Sequence, residues 1–382
     1  MENPLYEQIF NYIFQKINDG ELKNGERVPS EKELAAHFNV SRITSKKALE
    51  MLSQYKLIDR IQGKGSFVAE VIPDLHEIKV QKQKQTEGAE VKRENEDLRM
   101  VGVILPDFGD SFGAALLRGI EEQCAINGCV MIMKLTYDNL GEEEAAIRSF
   151  VKLGVDGIIV FPVHGELYNS ELLRLVLDGF PIVLVDRYLK GIAASAVFTD
   201  NRKAAFDLTN LLMEKAGSEI GFLSTPAENT TTIEDRIMGF NDACTQRGLT
   251  PRPEHMMTNL YSSLPQSFDT IKVQYDITTL RRFVESNTEL KAYVVSEYNL
   301  ALLLREVLLS MGKNIPEDYQ IVCFDSPDQP FDDYLFTHVR QNEREIGRHA
   351  VALLLSMWHH EATELNNIVE HEIVMGKSTL TT

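Results

Sequence analysis

From residue 99 onward the chain alternates short apolar runs with amphipathic stretches. The runs are "MVGVILP" (100–106), "VMIMKLT" (130–136), "GIIVFP" (157–162), "PIVLVD" (181–186), "AVFTD" (196–200), "EIGFLS" (219–224), "HMMTNLY" (255–261), "AYVVS" (292–296) and "YQIVCFD" (319–325). Between most of them lie segments such as "GAALLRGIEEQCAING" and "GEEEAAIRSFVKLG", whose apolar residues recur at helical spacing. A strand apolar on both faces must be covered on both, so this repetition predicts parallel sheets with helices on each side. The number of strands suits two successive α/β lobes better than one sheet.

Such sheets bind ligands beyond the carboxyl ends of their strands. The residues found there are polar: 107–112, then Asp186 and Arg187, Asp200 and Asn201, Ser224 and Thr225, Glu297 and Tyr298, Asp325 and Ser326. Each alone is explained as a loop cap or a surface ion pair. Their recurrence at strand ends favours a polyhydroxylated ligand. Carboxylates accept from hydroxyls, arginines donate to them, and rings pack on C–H faces.

The first seventy residues have another character. Leu5, Ile9, Tyr12, Ile13 and Ile17 make one helical face. Ser30 with Glu33 is a capping box opening a second helix, with Leu34, Ala35 and Phe38 inward. After the turn "NVS", a third helix starts near Ser41 and turns Ile43, Ala48, Leu49 and Leu52 inward. Its first turns carry Ser41, Arg42, Thr44, Ser45, Lys46 and Lys47, the end that enters the major groove in a helix-turn-helix. Leu57 to Ile61 and Ser66 to Ala69 read as two strands around "QGKG", a basic hairpin placed to reach the adjacent minor groove or backbone. A small helical domain with a solvated charged face is the plainer alternative. It leaves the cap, the turn, the basic helix start and the hairpin unconnected. "QGKGS" is not a phosphate-binding loop, because Ile58 stands where that motif needs glycine.

Charge separates the two parts. Residues 1–70 have no net charge, and the rest of the chain carries the whole −18. The chain as a whole therefore repels nucleic acid while its first part does not. Residues 73–98 are rich in Lys, Gln and Glu, a composition that suits an exposed linker or a solvated helix. The opening "MENPLYEQIF" has no basic region followed by an apolar one, and no apolar run reaches membrane-spanning length, so a cytoplasmic protein is expected. Cys124, Cys129, Cys244 and Cys323 have no metal-ligand spacing and are expected to be reduced thiols.

"PLYEQI" (4–9), "GERVPSEKELA" (25–35), "VSRITSKKALEML" (40–52) and "GKGSFV" (63–68) together resemble the GntR family of bacterial winged-helix regulators. The resemblance implies DNA contacts from Ser30, Lys32, Ser41, Arg42, Thr44, Ser45 and Lys46 and from the wing residues Gln62, Gly63 and Lys64. The family often has arginine at positions 32 and 46. Lysine is a point charge rather than a bidentate fork, so these two are assigned to phosphates and Arg42 to a guanine edge.

Downstream, "VGVILPD", "GVDGIIVFP", "PIVLVDR", "FTDNRKAA", "DRIMGFNDA", "AYVVSEYNLAL", "IVCFDSP" and "HVRQNEREIGRHAVALLL" resemble the lactose-repressor family and the periplasmic sugar-binding proteins. By position, the resemblance implies ligand contacts from Asp110, Phe112, Asp186, Arg187, Arg236, Glu297, Tyr298, Asp325 and Gln341. Two departures alter that pocket: Glu297 and Tyr298 stand where the family commonly has Asn-Asp, and Gly113 stands where a second aromatic often follows. The combination of head and body resembles the arabinose-operon repressors of Gram-positive bacteria, which makes a pentose the first ligand to consider.

The expected fold class is thus α/β. A winged helix-turn-helix DNA-binding domain (1–70) and a linker (71–98) precede a two-lobed, doubly wound parallel-sheet body (99–382), periplasmic-binding-protein-like, that binds sugar and dimerises. "RSFVKLGV" is a candidate dimer patch. The expected partners are double-stranded operator DNA, a sugar effector and a second copy of the chain, with no membrane, metal or cofactor. No G-x-S-x-G, HExxH or G-x-G-x-x-G is present, so no enzyme is expected. His359 and His360 read as a helix end and His164 as a loop residue. A cytoplasmic sugar-binding or sugar-processing protein is the alternative, with acid pairs as hydrolytic catalysts and an N-terminal interaction module.

Overall fold

The computed structural model describes residues 5–38, 40, 42–61, 64–71, 98–109, 111–165, 169–263, 270–329 and 333–380, with backbone alone at Glu7, Ile43 and Gln54. The chain divides into two compact units, Met1–Lys92 and Arg93–Thr382. Most of the expected linker lies outside the described residues.

Among the described residues of the first unit are three helices, α1 (Leu5–Asn18), α2 (Glu31–Phe38) and α3 (Arg42–Gln54), and a hairpin, β1 (Ile58–Ile61) with β2 (Gly65–Val68). The hairpin is antiparallel, with Ile58 opposite Val68 and Ile61 opposite Gly65. Its tip, Gln62 and Gly63, lies outside the described residues. The capping box forms at the start of α2: the Glu33 amide donates to Ser30 Oγ at 3.3 Å, and the Ser30 amide donates to Glu33 Oε2 at 2.7 Å. Ile9, Phe10, Ile13, Leu34, Leu49, Leu52, Leu57 and Val68 form one core. Phe10 and Phe14 are buried in α1 and Leu5 is half-exposed, so the inward face is rotated toward the two phenylalanines from the expected one.

The second unit holds two six-stranded sheets. The first contains β3 (Met100–Leu105), β4 (Val130–Leu135), β5 (Gly157–Val160), β6 (Ile182–Val185), β7 (Ser195–Thr199) and a late strand, β13 (Asn366–Val369), in the order 13-7-6-5-3-4. All of its pairings are parallel. The second contains β8 (Ile220–Leu223), β9 (Met256–Met257), β10 (Ala292–Val295), β11 (Gln320–Phe324), β12 (Thr337–Gln341) and β14 (His371–Val374), in the order 14-12-11-10-8-9. β14 runs antiparallel to β12, so this sheet is mixed. Strands β5, β6 and β10 are buried at every position, which is why they read as unbroken apolar runs. The run at 255–261 gives only the two-residue β9, preceded by a short 3-10 turn, Pro253–His255.

Helices α4 (Ala114–Ile126), α5 (Leu140–Leu153) and α6 (Ser170–Leu177) flank the first sheet. Helices α7 (Asn201–Ala216), α8 (Thr231–Gln246), α9 (Thr270–Ser286) and α10 (Tyr298–Ser310) flank the second. The last helix, α11 (Glu343–Trp358), corrects the expectation of successive lobes. It follows a strand of the second lobe but packs into the core of the first, with Ile346, Ala350, Val351 and Leu354 among Val103, Leu116 and Ile120. The chain therefore crosses between lobes near Asp200, Asn342 and Glu370.

Two glycines permit this return. A Cβ at Gly119 would stand 2.2 Å from the Arg344 carbonyl oxygen, and one at Gly347 2.4 Å from that of Leu116. In "RSFVKLGV", Phe150 and Val155 are buried and Leu153 is exposed, so that segment offers no broad apolar patch. The four cysteines are free thiols. No described helix is long and apolar enough to cross a membrane, and no described cluster of His, Cys, Asp and Glu could hold a metal ion.

Candidate functional site

In the first unit, the starts of α2 and α3 and the hairpin border a groove of about 640 Å³, with Ser30, Lys32, Arg42, Arg60 and Ser66 in its walls. Lys32, Arg42, Lys46 and Lys64 are exposed and Thr44 is half-buried. Lys46 stands 3.8 Å from Glu50, one turn along α3. Lys47 sits over the Tyr6 ring at 3.8 Å, which ties it to α1. Ser45 departs from its expected role. It is fully buried, and its hydroxyl donates to the Glu31 carbonyl at 2.8 Å and the Arg42 carbonyl at 3.0 Å. A side chain occupied between two helices fixes their angle and does not reach DNA. Ser41, Gln62 and Gly63 lie outside the described residues.

In the second unit, a cavity of about 150 Å³ opens between the strand ends of the two lobes. Asp186 follows β6 and Asp325 follows β11. Both adopt the left-handed conformation, with φ of 64° and 65°, and so occupy matching positions in the two lobes. Arg236, on the first turns of α8, reaches between them and is 4% exposed. Its Nε donates to Asn201 Oδ1 at 2.8 Å and its Nη1 to the Ser296 carbonyl at 2.6 Å, while the guanidinium lies 3.8 Å above the Phe324 ring. Arg187 donates through Nη1 to the Pro162 carbonyl at 2.8 Å and lies over Phe161 at 4.9 Å. Phe112 meets Phe161 edge-on at 6.0 Å.

Gln341 donates to both oxygens of Asp325, at 3.1 and 3.2 Å. Glu297 takes a short hydrogen bond from Ser263, and Tyr298 beside it lines the cavity. The cavity thus gathers every ligand residue expected from sequence except Asp110, which lies outside the described residues. Sequence reading missed Phe161, Ser263 and Phe324, while Asn201, noted there only as a polar strand-end residue, serves as the partner of Arg236. Phe161 and Phe324 were legible as strand-end aromatics. Nothing local marks Ser263, which matters only through the long-range partner it meets.

Three carboxylates face two guanidinium groups here. Burial pushes Asp186 and Glu297 upward and Asp325 up to about 8, and it lowers Arg236 against the pull of Asp325, Asp186 and Glu297. Behind them Glu343 accepts from the Gly113 amide at 2.6 Å, and burial pushes it up to about 7. Arg187 Nε and Gln341 Oε1 are buried with no hydrogen-bond partner among the described residues. Unsatisfied groups at the wall of a cavity invite a ligand that completes them.

These shifts set a pH dependence. A carboxyl raised in the folded state holds its proton where the unfolded chain has lost it, so stability falls as pH rises through the folded value. His164, pushed down to about 4 by burial, opposes this at lower pH and is neutral when folded above that range. Between pH 7 and 8 the free protein is therefore expected to lose about 1 kcal/mol, near the limit of 1.36 kcal/mol per proton and pH unit. Denaturant unfolding at the two pH values measures this loss, and Asp325→Asn should flatten it. An equally steep loss in that variant would place the titration elsewhere.

Comparison with known proteins agrees with this division. Residues 5–68 match the family described as bacterial regulatory proteins, gntR family. Residues 101–273 match a periplasmic binding protein domain, and residues 209–379 a periplasmic binding protein-like domain. An arabinose metabolism transcriptional repressor of Geobacillus stearothermophilus is 25% identical, over 98% of each chain. The crystal structure of transcription regulator CcpA of Lactococcus lactis shares the fold with a TM-score of 0.64 at 23% identity, covering 74% of this chain and all of that one. A LacI family transcriptional regulator from Enterococcus faecium with bound ribose superposes with a TM-score of 0.59 at 22% identity, covering 74% of this chain and 98% of that one. The alternative of a sugar-processing enzyme finds no support among these relatives, which are regulators. The chain is a transcriptional regulator built from a GntR-type helix-turn-helix domain and a two-lobed, periplasmic-binding-protein-like body.

Proposed function

We propose that this regulator represses carbohydrate-utilisation genes in the cytoplasm and releases its operator when a small neutral sugar, a pentose first, enters the cleft. The observation that carries this reading is the cleft's composition: three buried carboxylates, two guanidinium groups each anchored on a backbone carbonyl, and aromatic walls around a space of about 150 Å³. That space lies below the roughly 300–1,000 Å³ of drug-sized sites. With no surplus of positive charge, the site suits hydroxyls rather than a phosphate or a sugar acid. The G. stearothermophilus repressor of arabinose metabolism and the ribose-bound E. faecium regulator support the choice of a pentose.

Two heads of a homodimer would read a near-palindromic operator, with Arg42 at a base edge and Lys32, Thr44, Lys46 and Lys64 on the backbone. Ser30 supports the α2 cap from which Lys32 projects. Sugar relaxes DNA binding only if it prefers the body conformation that binds DNA poorly. A coupling of about 1–3 kcal/mol changes operator affinity roughly 5–150-fold.

A thermal-shift panel of pentoses, hexoses, sugar acids and sugar phosphates tests the ligand. A sugar at 100 times its dissociation constant adds about 2.7 kcal/mol of stability. Stabilisation by a neutral pentose that also weakens operator binding is expected, and stabilisation by phosphates alone would overturn this reading. In the head, Arg42→Ala should cost about 1–3 kcal/mol of operator affinity and relax the sequence requirement at one position. Gel-shift titrations against single-base operator variants read both effects.

A further inference from the structure

Arg60 lies on the hairpin strand β1, opposite Ser66 of β2, and no DNA contact is assigned to it. Its guanidinium faces the helices. Nη2 donates to Glu31 Oε1 at 2.6 Å and Nη1 to Glu50 Oε1 at 3.4 Å. Both acids sit among the residues assigned to DNA. Glu31 is the first residue of α2, directly before Lys32, and Glu50 lies one turn beyond Lys46 on α3. The Ser45 hydroxyl, bonded to the Glu31 carbonyl, holds that end of α2 against α3, so Glu31 stays at the groove, and Glu50 is tied to it through Arg60. Arg60, Glu31 and Glu50 are each only partly exposed, at 33, 35 and 48% of their side-chain surface.

Glu50 is shared. Lys46 Nζ stands 3.8 Å and Arg60 Nη1 3.4 Å from the same oxygen, Glu50 Oε1. A carboxylate beside a phosphate contact acts twice against binding: it repels the phosphate, and it holds the lysine meant for it. A second cation on the same carboxylate removes both effects.

We propose that Arg60 is a positioning residue for DNA binding, covering the carboxylates of Glu31 and Glu50 so that Lys32 and Lys46 are free to meet phosphate. Arg60 itself touches no DNA in this account. The inference rests on the assignment of the head as the DNA-binding part.

The test uses the full-length chain and sonicated duplex DNA, since non-specific binding is governed by phosphate charge and needs no known operator. Anisotropy titrations across a salt series give affinity and salt slope. Arg60→Gln is expected to weaken low-salt binding about tenfold and to shrink the slope by about one, because Lys46 stays with Glu50. Adding Glu31→Gln and Glu50→Gln to that variant is expected to restore both quantities to within about twofold of wild type. The same two changes in the wild-type background should alter affinity less than about threefold, since the acids are already covered.

This non-additivity separates the proposal from its rivals. An arginine that bound phosphate, or one that merely braced the hairpin, would not be replaced by deleting two acids. A triple variant as weak as Arg60→Gln overturns the proposal, and so does an unaffected Arg60→Gln. Arg60→Lys keeps one charge and should fall between wild type and Arg60→Gln. It guards against a glutamine variant that fails to fold, which a melting curve would reveal. Wild-type protein that ignores DNA at low salt would overturn the reading of the head itself, and this inference with it.

Discussion

Replacing Arg236 by alanine should abolish sugar-dependent stabilisation and lower the unfolding free energy by about 3–5 kcal/mol at neutral pH. The guanidinium is almost wholly buried and is the cation common to Asp186, Glu297 and Asp325. Removing it leaves three buried acids with Arg187 as the remaining lining cation and exposes the Phe324 ring to an empty space. The acids would then take up protons to avoid the desolvation cost, so the loss should shrink as pH falls below neutrality. Arg236→Lys keeps the charge but not the fork that reaches Asn201 and Ser296 together. It should recover part of the stability and little of the sugar response. Calorimetric unfolding with and without sugar at pH 6 and 8 measures both effects. Sugar stabilisation that survives in Arg236→Ala would remove this residue from the site.

The second large effect is expected far from any charge. Gly119→Leu should destabilise the body by about 3 kcal/mol or more, at or beyond the upper end of the usual cost of overpacking. Even the first atom of the new side chain would meet the Arg344 carbonyl at 2.2 Å, and backbone on a packed helix has little room to give. Helices α4 and α11 would have to separate. Glu343, at the start of α11, would then lose its hold on the Gly113 amide next to Phe112. Sugar affinity should therefore fall along with stability. Gly109→Ala is the control, since nothing stands within 4 Å of the Cβ it would add, and its cost should stay below about 0.5 kcal/mol. Urea unfolding of the two variants compares them directly, and equal costs would refute the close-crossing argument.

Both predictions depend on packing that no local pattern contains. Local conformation is written in the residues themselves: in the glycines of the hairpin, in the unbroken apolar runs of doubly covered strands and in the capping box of α2. The strand ends are marked there too, and a parallel sheet puts those ends on one side wherever its neighbours come from. Asp186, Arg187, Glu297 and Asp325 are therefore legible from the sequence. Which distant elements meet is a matter for the folded chain. Apolar burial is non-directional, so the pattern of α11 states that one face is buried but not in which lobe. The close crossing at Gly119 and Gly347 selects the first lobe, and with it the weave of three crossings that brings two sets of strand ends around one cavity. Ser45 became a link between helices, and Asn201 and Ser263 became props of the site, because hydrogen bonds are decided by where distant backbone arrives.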